Sequence, residues 1–427
     1  MLLESLELYN FRNFSSLRLD FNDRLTVLVG NNGSGKSTIL EAATIAAGTL
    51  VFSMDSSNSF NIKRKDAKNM YYNLGSNIDV QQQFPVEIKA SGKLDGKDIE
   101  WSRVLKSSNG RCTVSTAKEL TNITDSFLKR IKRGDDSLVL PLVAYYGTGR
   151  LWAAHREKHN DLFGKNNRLN GYKDSLDGAA NNKLMINWFQ KMTMQQIQRG
   201  KNFPEYLAVK DAIEQIVKKI TGYEDVEVQF NLDVNDMDII YNDQDVPVRI
   251  PLSMLSDGYK CTISLIADIA YRMAVLNPQL YDEVINETSG IVIIDEVDLH
   301  LHPKWQKQIL NHLMEIFPKI QFIVSTHAPE VINSIPNNSV ILLQGSEEKA
   351  YRVDGTYGKD ANTILREVMK SPTRPDEIKN MFNEFYTCLD EENFDEAERI
   401  IKRLEGKLGT NDVDLNRCIM ELKLERI

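Results

Sequence analysis

One stretch near the N-terminus restricts the fold of this chain more than any other feature. The segment Gly30–Ser37 reads GNNGSGKS and fits the pattern G-x-x-x-x-G-K-[ST]. The apolar run Leu25–Val29 before it predicts a buried strand, and Ile39–Ala47 after it has helical composition. A glycine-rich loop between a buried strand and a helix is typical of α/β proteins with a largely parallel sheet.

This loop has the chemistry of a phosphate-binding site. Its backbone N–H groups, with those of the following helix N-terminus, would cradle phosphates. Lys36 would reach the β- and γ-phosphates of a nucleotide, and the Ser37 hydroxyl would bind Mg²⁺. We therefore expect ATP and Mg²⁺ as ligands. The predicted nucleotide-binding residues of this segment are Gly30, Asn31, Asn32, Gly33, Ser34, Gly35, Lys36, Ser37 and Thr38.

A second apolar run ends in two carboxylates. Ile291–Ile294 has the composition of a buried parallel strand, and Asp295 and Glu296 follow it. Open α/β sheets bind ligands at the carboxyl ends of their strands. We expect Asp295 to hold Mg²⁺, directly or through its water shell, and Glu296 to act as the general base for an attacking water.

Three further segments stand in an order that resembles the ATP-binding cassette (ABC) superfamily. Leu255–Lys260 reads LSDGYK and opens a predicted helix, Asp298–Pro303 reads DLHLHP, and Ser325–His327 ends another apolar strand. With the glycine-rich loop and the acidic pair, they are similar to the Walker A, signature, Walker B, D-loop and switch-histidine motifs. The resemblance spans residues 1–345.

The resemblance implies that two chains share ATP in a two-fold sandwich, with higher oligomers left open. The signature residues would reach the γ-phosphate held by the partner, and the signature departs from the commoner LSGGQ because an aspartate replaces a glycine. His327 would read the γ-phosphate in its own chain and act with Glu296 in catalysis, and Asp298 would be the D-loop residue. The expected signature residues are Ser256, Asp257 and Gly258.

The opening LYNFRNF at residues 8–14 is similar to RecF-like and OLD-like members of the superfamily. In that group the residues corresponding to Arg12 and Asn13 approach the nucleotide. No glutamine is clearly placed as a Q-loop. Ala144–Arg150 stands at about that place, Gln81–Gln83 fits less well, and the contact stays unassigned.

Two looser stretches narrow the resemblance. YYGTGRLW at residues 145–152 and the segment 358–409 resemble the ATPase subunit of Septu and related retron antiphage systems, the PtuA type. This implies a regulatory or sensor ATPase whose partner is an HNH nuclease of the PtuB type. A RecF-like DNA repair ATPase without a dedicated nuclease is the alternative. A scaffold without turnover is a third reading, which the intact motif residues oppose.

The predicted fold is α/β, an ABC-ATPase-type P-loop NTPase head with a helical insertion and a C-terminal helical appendage. The predicted domains are the N-terminal head at 1–150, the helical arm at 151–225, the C-terminal head at 226–350 and a partner-binding appendage at 351–427. Predicted helices at Pro375–Leu389 and Phe394–Leu408 carry apolar stripes, which either pack on one another or bind the nuclease.

Composition narrows the compartment and the partners. A formal net charge of −8 excludes a chain that is basic throughout. Four cysteines without CxxC spacing indicate a reducing compartment, and no signal peptide or uninterrupted apolar run of about 18 residues is evident. A cytoplasmic protein without membrane contact is expected.

Local basic clusters are the candidates for contact with DNA or RNA, against the default of a charged solvated surface. The denser cluster consists of Lys129, Arg130, Lys132 and Arg133, and Lys63–Lys65 is a second. His300 and His302 belong to the D-loop-like segment, which we prefer to a metal pair. Three aspartates, Asp233, Asp236 and Asp238, are assigned to the solvated face of a hairpin instead of a Ca²⁺ or nuclease site.

Overall fold

The computed structural model describes residues 1–54, 60–74, 77–115, 118–150, 167–178, 182–243, 246–344 and 348–426. The chain divides into two units, Met1–Ala361 and Asn362–Ile427. The first unit carries the predicted nucleotide site. The expected helical arm begins with residues 151–166, which lie outside the described residues, as do Leu151 and Trp152 of the YYGTGRLW stretch.

The strands and helices are numbered in chain order. The strands are β1 (Leu2–Phe11), β2 (Phe14–Asp20), β3 (Leu25–Gly30), β4 (Asn69–Leu74), β5 (Asn77–Gln82), β6 (Val86–Leu94), β7 (Lys97–Leu105), β8 (Thr113–Ser115), β9 (Leu142–Tyr146), β10 (Val226–Asn231), β11 (Asp236–Asp243), β12 (Val246–Pro251), β13 (Gly290–Ile294), β14 (Ile320–Ser325), β15 (Val340–Gln344) and β16 (Lys349–Val353). The helices are α1 (Lys36–Met54), α2 (Lys118–Lys132), α3 (Asn182–Arg199), α4 (Pro204–Thr221), α5 (Asp257–Leu276), α6 (Val284–Glu287), α7 (Pro303–Gln306), α8 (Ile309–Ile316), α9 (Pro329–Ile332), α10 (Ala361–Glu367), α11 (Asp376–Asp390), α12 (Phe394–Leu408) and α13 (Val413–Glu425).

A six-stranded sheet with the order β16-β15-β3-β14-β13-β9 positions the site. Only its edge strand β16 runs antiparallel, and Val324 of β14 pairs with Val27 of β3. All residues of β3, β9, β13 and β14 are buried, which explains their continuous apolar sequences. Because β3, β14, β13 and β9 are parallel neighbours, the segments that follow them meet at one edge of the sheet.

Helix α1 lies between this sheet and a five-stranded antiparallel sheet of order β2-β1-β6-β7-β8. The indole N–H of Trp101 on β7 donates to the carbonyl of Ala46 at 2.9 Å. By length and composition α1 could also cross a membrane, since its mean hydropathy is 1.4 even though polar residues interrupt its apolar sequence. Of its most apolar window 78% is buried, as in the core helix of a folded protein.

Several predicted elements shift when the tertiary structure is known. The apolar run Leu138–Tyr145 predicts a strand, which begins at Leu142, and the helical pattern around 305–317 corresponds to two short helices, α7 and α8. The helix predicted to open at Leu255–Lys260 is α5, which begins at Asp257. The hairpin expected at 226–240 is confirmed as β10 and β11, and β12 extends it to three strands.

The second unit contains the helices α11, α12 and α13, which pack around a core of their own. The apolar stripes expected to pack on one another and on the sheet, or on a partner, contribute most of their residues to this core. Its buried members are Ile378, Met381, Phe385, Ala397, Ile400, Ile401, Leu404, Leu415, Cys418 and Leu422.

Candidate functional site

A cleft of about 210 Å³ opens at the edge of the central sheet where β3 and β13 end. Its walls come from the turn between β1 and β2, the loop before α1, the turn after β13 and the turn after β14. The structure therefore brings together residues that are almost 300 positions apart, from Lys36 to His327. The lining residues are Asn13, Asn32, Gly33, Gly35, Lys36, Ser37, Thr38, Asp295, Glu296 and His327.

The glycine-rich loop curls around the ammonium group of Lys36. Its Nζ donates to the carbonyls of Gly30 at 2.9 Å and Asn31 at 3.1 Å. Burial lowers the pKa of the Lys36 ammonium, and the neighbouring carboxylates, Asp295 foremost, act to raise it. The cleft thus holds a desolvated cation directed toward its own loop, where an anionic phosphate would be a better partner.

Gly35 shows why the loop requires glycine. Its φ is +98°, a backbone conformation that residues with a Cβ rarely adopt. A Cβ at this position would lie 2.5 Å from the ring of Phe14 on β2, closer than real Cβ contacts allow. The aromatic ring therefore packs directly on the loop backbone, and it sets the position of the loop relative to the antiparallel sheet.

The two carboxylates after β13 are held by a hydroxyl from the neighbouring strand. Ser325, the last residue of β14, donates to Asp295 Oδ1 at 2.5 Å and accepts from the Glu296 N–H at 2.8 Å. Glu296 has φ +47°, which is a strained conformation for a residue other than glycine. One buried hydroxyl thus orients one carboxylate and restrains the backbone of the other.

The segments after the carboxylates are tied to the end of β14. Thr326 donates its hydroxyl to Asp298 Oδ1 at 2.6 Å. His327 lines the cleft, and burial together with the Lys36 charge lowers the pKa of its imidazole. The lowered pKa favours the neutral ring, in which one nitrogen can donate and the other can accept.

The donor set of the cleft fits a nucleotide with Mg²⁺. The Ser34 hydroxyl is buried and makes no hydrogen bond to any residue that the structure describes, so it is an unpaired polar atom beside the loop. The Ser37 hydroxyl and the Asp295 carboxylate both line the cleft, and Mg²⁺ prefers such hard oxygen ligands.

The signature residues lie outside this cleft. Ser256 caps α5 through its backbone only, and Ser256 and Asp257 are exposed to solvent. Gly258 is buried, and a Cβ there would lie 2.7 Å from the carbonyl oxygen of His300. The first turn of α5 therefore packs on the segment after the carboxylates while its outer residues remain accessible.

Arg12 and Asn13 differ in their position relative to the cleft. Asn13 lines the cleft, as predicted. Arg12 does not, because its guanidinium pairs with Asp66 at 2.9 Å and with Glu41. Arg12 therefore joins the turn after β1 to α1 and to the segment before β4. Its two acidic partners were not recognised from the sequence because they are distant along the chain.

Three of the remaining candidate residues make specific contacts. His302 caps α7 by accepting from the Lys304 N–H. In the part of the chain that the structure describes, no group of three or more His, Cys, Asp or Glu residues is arranged to hold a metal ion. Asp238 corrects the expectation of a solvated face, because it is 1% exposed and pairs with Arg249 at 3.4 Å. In the basic cluster at the end of α2, Arg130 is engaged with Asp135 at 2.6 Å.

Sequence reasoning missed three residues around the carboxylates. Ser325 and Thr326 were seen only as the residues before His327, and Arg150 only as part of a stretch near the expected Q-loop. Their roles depend on which strands are neighbours. The one available signal was that each follows an apolar run that reads as a parallel strand.

Comparison with known protein families shows which family this chain belongs to. The AAA domain family matches residues 5–245, and an AAA ATPase domain matches residues 164–332. The chain belongs to the AAA domain family. The sheet order, the loop before α1 and the acidic pair after β13 are the P-loop ATPase features of this AAA protein, and it hydrolyses ATP.

Known relatives of this AAA protein extend over most of its length. The retron Ec83 probable ATPase of Escherichia coli is 27% identical, covering 98% of this chain and 85% of the relative. The Septu protein PtuA of Bacillus thuringiensis is 24% identical, covering 92% and 90%. The SMC head domain of Thermotoga maritima covers 83% of this chain and 99% of that structure at 17% identity, with a TM-score of 0.46.

Proposed function

We propose that this ATPase is the regulatory subunit of an antiphage defence complex and controls a separate HNH nuclease. The observation that carries the proposal is the length of the resemblance. Retron and Septu relatives align with 98% and 92% of the chain, so they include more than the ATP site. The expected setting is the cytoplasm, where both ATP and invading nucleic acid are present.

Within the site, each lining residue has a distinct role. Lys36 and the loop amides bind the β- and γ-phosphates, and the neutral His327 contacts the γ-phosphate by a hydrogen bond. Ser37 and Asp295 would hold Mg²⁺, which neutralises charge on the phosphates when bound. Glu296 accepts a proton from the attacking water, and its restrained backbone aims the carboxylate into the cleft.

The two-fold sandwich is supported by where the signature lies. Ser256 and Asp257 are exposed at the N-terminus of α5 and are absent from the cleft of their own chain. A helix N-terminus favours anions, so a second copy can place Ser256 and Gly258 against the γ-phosphate. A closed pair of this kind uses one surface twice, the commonest symmetry of oligomers.

The proposed interaction with a partner nuclease is supported by exposed apolar residues on α13. Val413, Met420 and Leu424 are 81%, 67% and 70% exposed. Their spacing of seven and four residues places them on one side of the helix. Since the buried stripes of α11 and α12 are used within the unit, this exposed stripe is the surface that we assign to the nuclease.

A substitution in the cleft tests the ATPase part of the proposal. E296Q keeps the shape of the side chain and removes the base, so we expect ATP binding to persist and turnover to fall by a factor on the order of 10² or more. The same variant should accumulate as an ATP-bound dimer in gel filtration. Wild-type turnover in E296Q would remove Glu296 from the role of base.

A substitution on α13 tests the defence part separately. L424D should abolish co-purification with the nuclease of the neighbouring open reading frame and protection of cells against phage, while ATP turnover is unchanged. K423D on the same helix is the control for an added acidic side chain. If L424D still captures the nuclease, the exposed stripe of α13 is not the surface that binds it. A free-standing gene without a neighbouring HNH nuclease gene would favour the RecF-like alternative.

A further inference from the structure

Arg150 is a buried cation that does not itself line the cleft. It lies in the turn after β9, is 3% exposed and has no carboxylate partner among the described residues. Its Nη1 donates to the carbonyls of Asp295 at 2.8 Å and Gly147 at 3.2 Å, and its Nη2 donates to the carbonyl of Glu296 at 2.9 Å. Its Nε approaches Cys261 Sγ at 3.2 Å.

The guanidinium binds backbone carbonyls of the turn at residues 295–300, which is called the catalytic turn because it carries Glu296. Two successive carbonyls, of Asp295 and Glu296, receive the two arms of one planar group, an arrangement that a lysine cannot reproduce. Glu296 keeps its left-handed backbone only because the surrounding bonds determine it. Arg150 from one side and Ser325 from the other supply those bonds.

The same guanidinium also touches the helix that begins with the signature. Cys261 lies one turn beyond Asp257 on α5, so this contact ties the guanidinium to the first turn of that helix. A second contact joins the same two parts, because Gly258 packs on the carbonyl of His300. The catalytic turn and the signature of one chain are therefore connected at two points.

We infer that Arg150 is a positioning residue that couples the catalytic turn of one protomer to the signature helix which that protomer presents to ATP held by its partner. The inference rests on the proposed two-fold sandwich. A change in the turn that carries Glu296 in one site then changes the fit of the signature in the other site. The two ATP molecules are hydrolysed in a linked manner because of this contact.

Another arginine supplies a matched control. Arg24 likewise donates to three backbone carbonyls, of Met314, Phe317 and Ile320. It precedes β3, whereas the glycine-rich loop follows the same strand, so the two ends are separated by about 20 Å at 3.3 Å per residue. R24K removes a guanidinium fork from the backbone without touching either the cleft or α5.

The first experiment separates positioning from folding. R150K should retain ATP binding and KM within about twofold of wild type while kcat falls roughly tenfold, because only the orientation of the turn is lost. R24K should leave both parameters unchanged. Equal losses in R150K and R24K, or a loss of ATP affinity that accounts for the whole effect in R150K, would overturn the assignment.

The second experiment tests the coupling between sites. Wild-type chain is mixed with an excess of E296Q. Each active cleft then belongs to a wild-type chain and is completed by the signature of an E296Q chain. With E296Q/R150K in excess, turnover per wild-type chain should fall roughly tenfold below that with E296Q alone, since only the signature side differs. E296Q/C261A breaks the contact with α5 while leaving the carbonyl bonds, and it should act in the same direction.

The outcomes are distinguishable from failure of the sandwich. If turnover per wild-type chain is the same with and without added E296Q and is independent of concentration, sites are not shared and the proposed dimer fails. If E296Q changes turnover but E296Q/R150K and E296Q/C261A behave as E296Q does, the dimer stands and the coupling through Arg150 is refuted.

Discussion

Replacing Ser325 by alanine removes the hydroxyl that links the two carboxylates of the site. In the folded chain this hydroxyl donates to Asp295 at 2.5 Å and accepts from the Glu296 amide at 2.8 Å. S325A therefore leaves a buried amide without an acceptor and a buried carboxylate without a donor. We expect both a loss of stability and a loss of catalytic rate.

The magnitude follows from these two bonds. A hydrogen bond to a charged group contributes about 1.5–3 kcal/mol, and a buried unsatisfied amide costs about 1–3 kcal/mol. Because both bonds restrain the same turn, the losses overlap, and we expect the free energy of unfolding to fall by about 3 kcal/mol. About 1.4–2.8 kcal/mol of lost positioning of Glu296 in the transition state lowers kcat by roughly 10- to 100-fold.

Steady-state ATP hydrolysis and denaturant unfolding measure the two effects in the same preparation. S334A is the control, because the Ser334 hydroxyl donates to the carbonyl of Val331 at 2.9 Å outside the cleft. It should change kcat by less than about twofold. A kcat for S325A within the same range, together with the expected loss of stability, would refute the view that Ser325 orients the catalytic turn.

Three further variants test other parts of the molecule. Leu404→Ala should lower the free energy of unfolding of the helical unit by about 2–5 kcal/mol, seen by calorimetry, and an unchanged transition would contradict the packing of this core. Gly258→Ala forces a Cβ to within 2.7 Å of a D-loop carbonyl and should lower ATP turnover about tenfold with nucleotide binding retained; wild-type turnover would exclude a role for this packing. Alanine at Lys129, Lys132 and Arg133, the exposed cations of the α2 cluster, should reduce the salt dependence of duplex binding by about 0.9 per lost phosphate contact, and an unchanged slope would assign them to solvent.

Much of the nucleotide site was predictable because its residues belong to short sequence segments that each follow a recognisable strand. The loop Gly30–Ser37 must follow a strand and open a helix, and both neighbours have the expected composition. The acidic pair follows a run that is buried on both faces, and such a run reads as continuously apolar. His327 was found in the same way, since β14 precedes it. All three sit at the carboxyl ends of strands, where α/β sheets bind ligands.

The sequence did not reveal contacts that a residue makes with partners distant along the chain. Arg12 has the positive charge expected near a nucleotide. Nothing close to it in the sequence reveals that Glu41 and Asp66 form ion pairs with its guanidinium. Asp238 reads as an exposed hairpin residue until Arg249 and the buried side of the sheet are known. Charged side chains are placed by their counter-charges, and these counter-charges are supplied by the tertiary fold.

The amino-acid sequence by itself indicated the buried strands β3, β9, β13 and β14, the residues that line the cleft, and the amphipathic faces of the C-terminal helices. Only the tertiary structure decided how the catalytic turn is held, because Arg150 and Glu296 follow β9 and β13 whereas Ser325 is the last residue of β14. It also decided which apolar residues stay exposed on α13. The physical reason is that periodicity records whether a side chain is buried, whereas the identity of its neighbour depends on strand order and helix packing, which no local pattern contains.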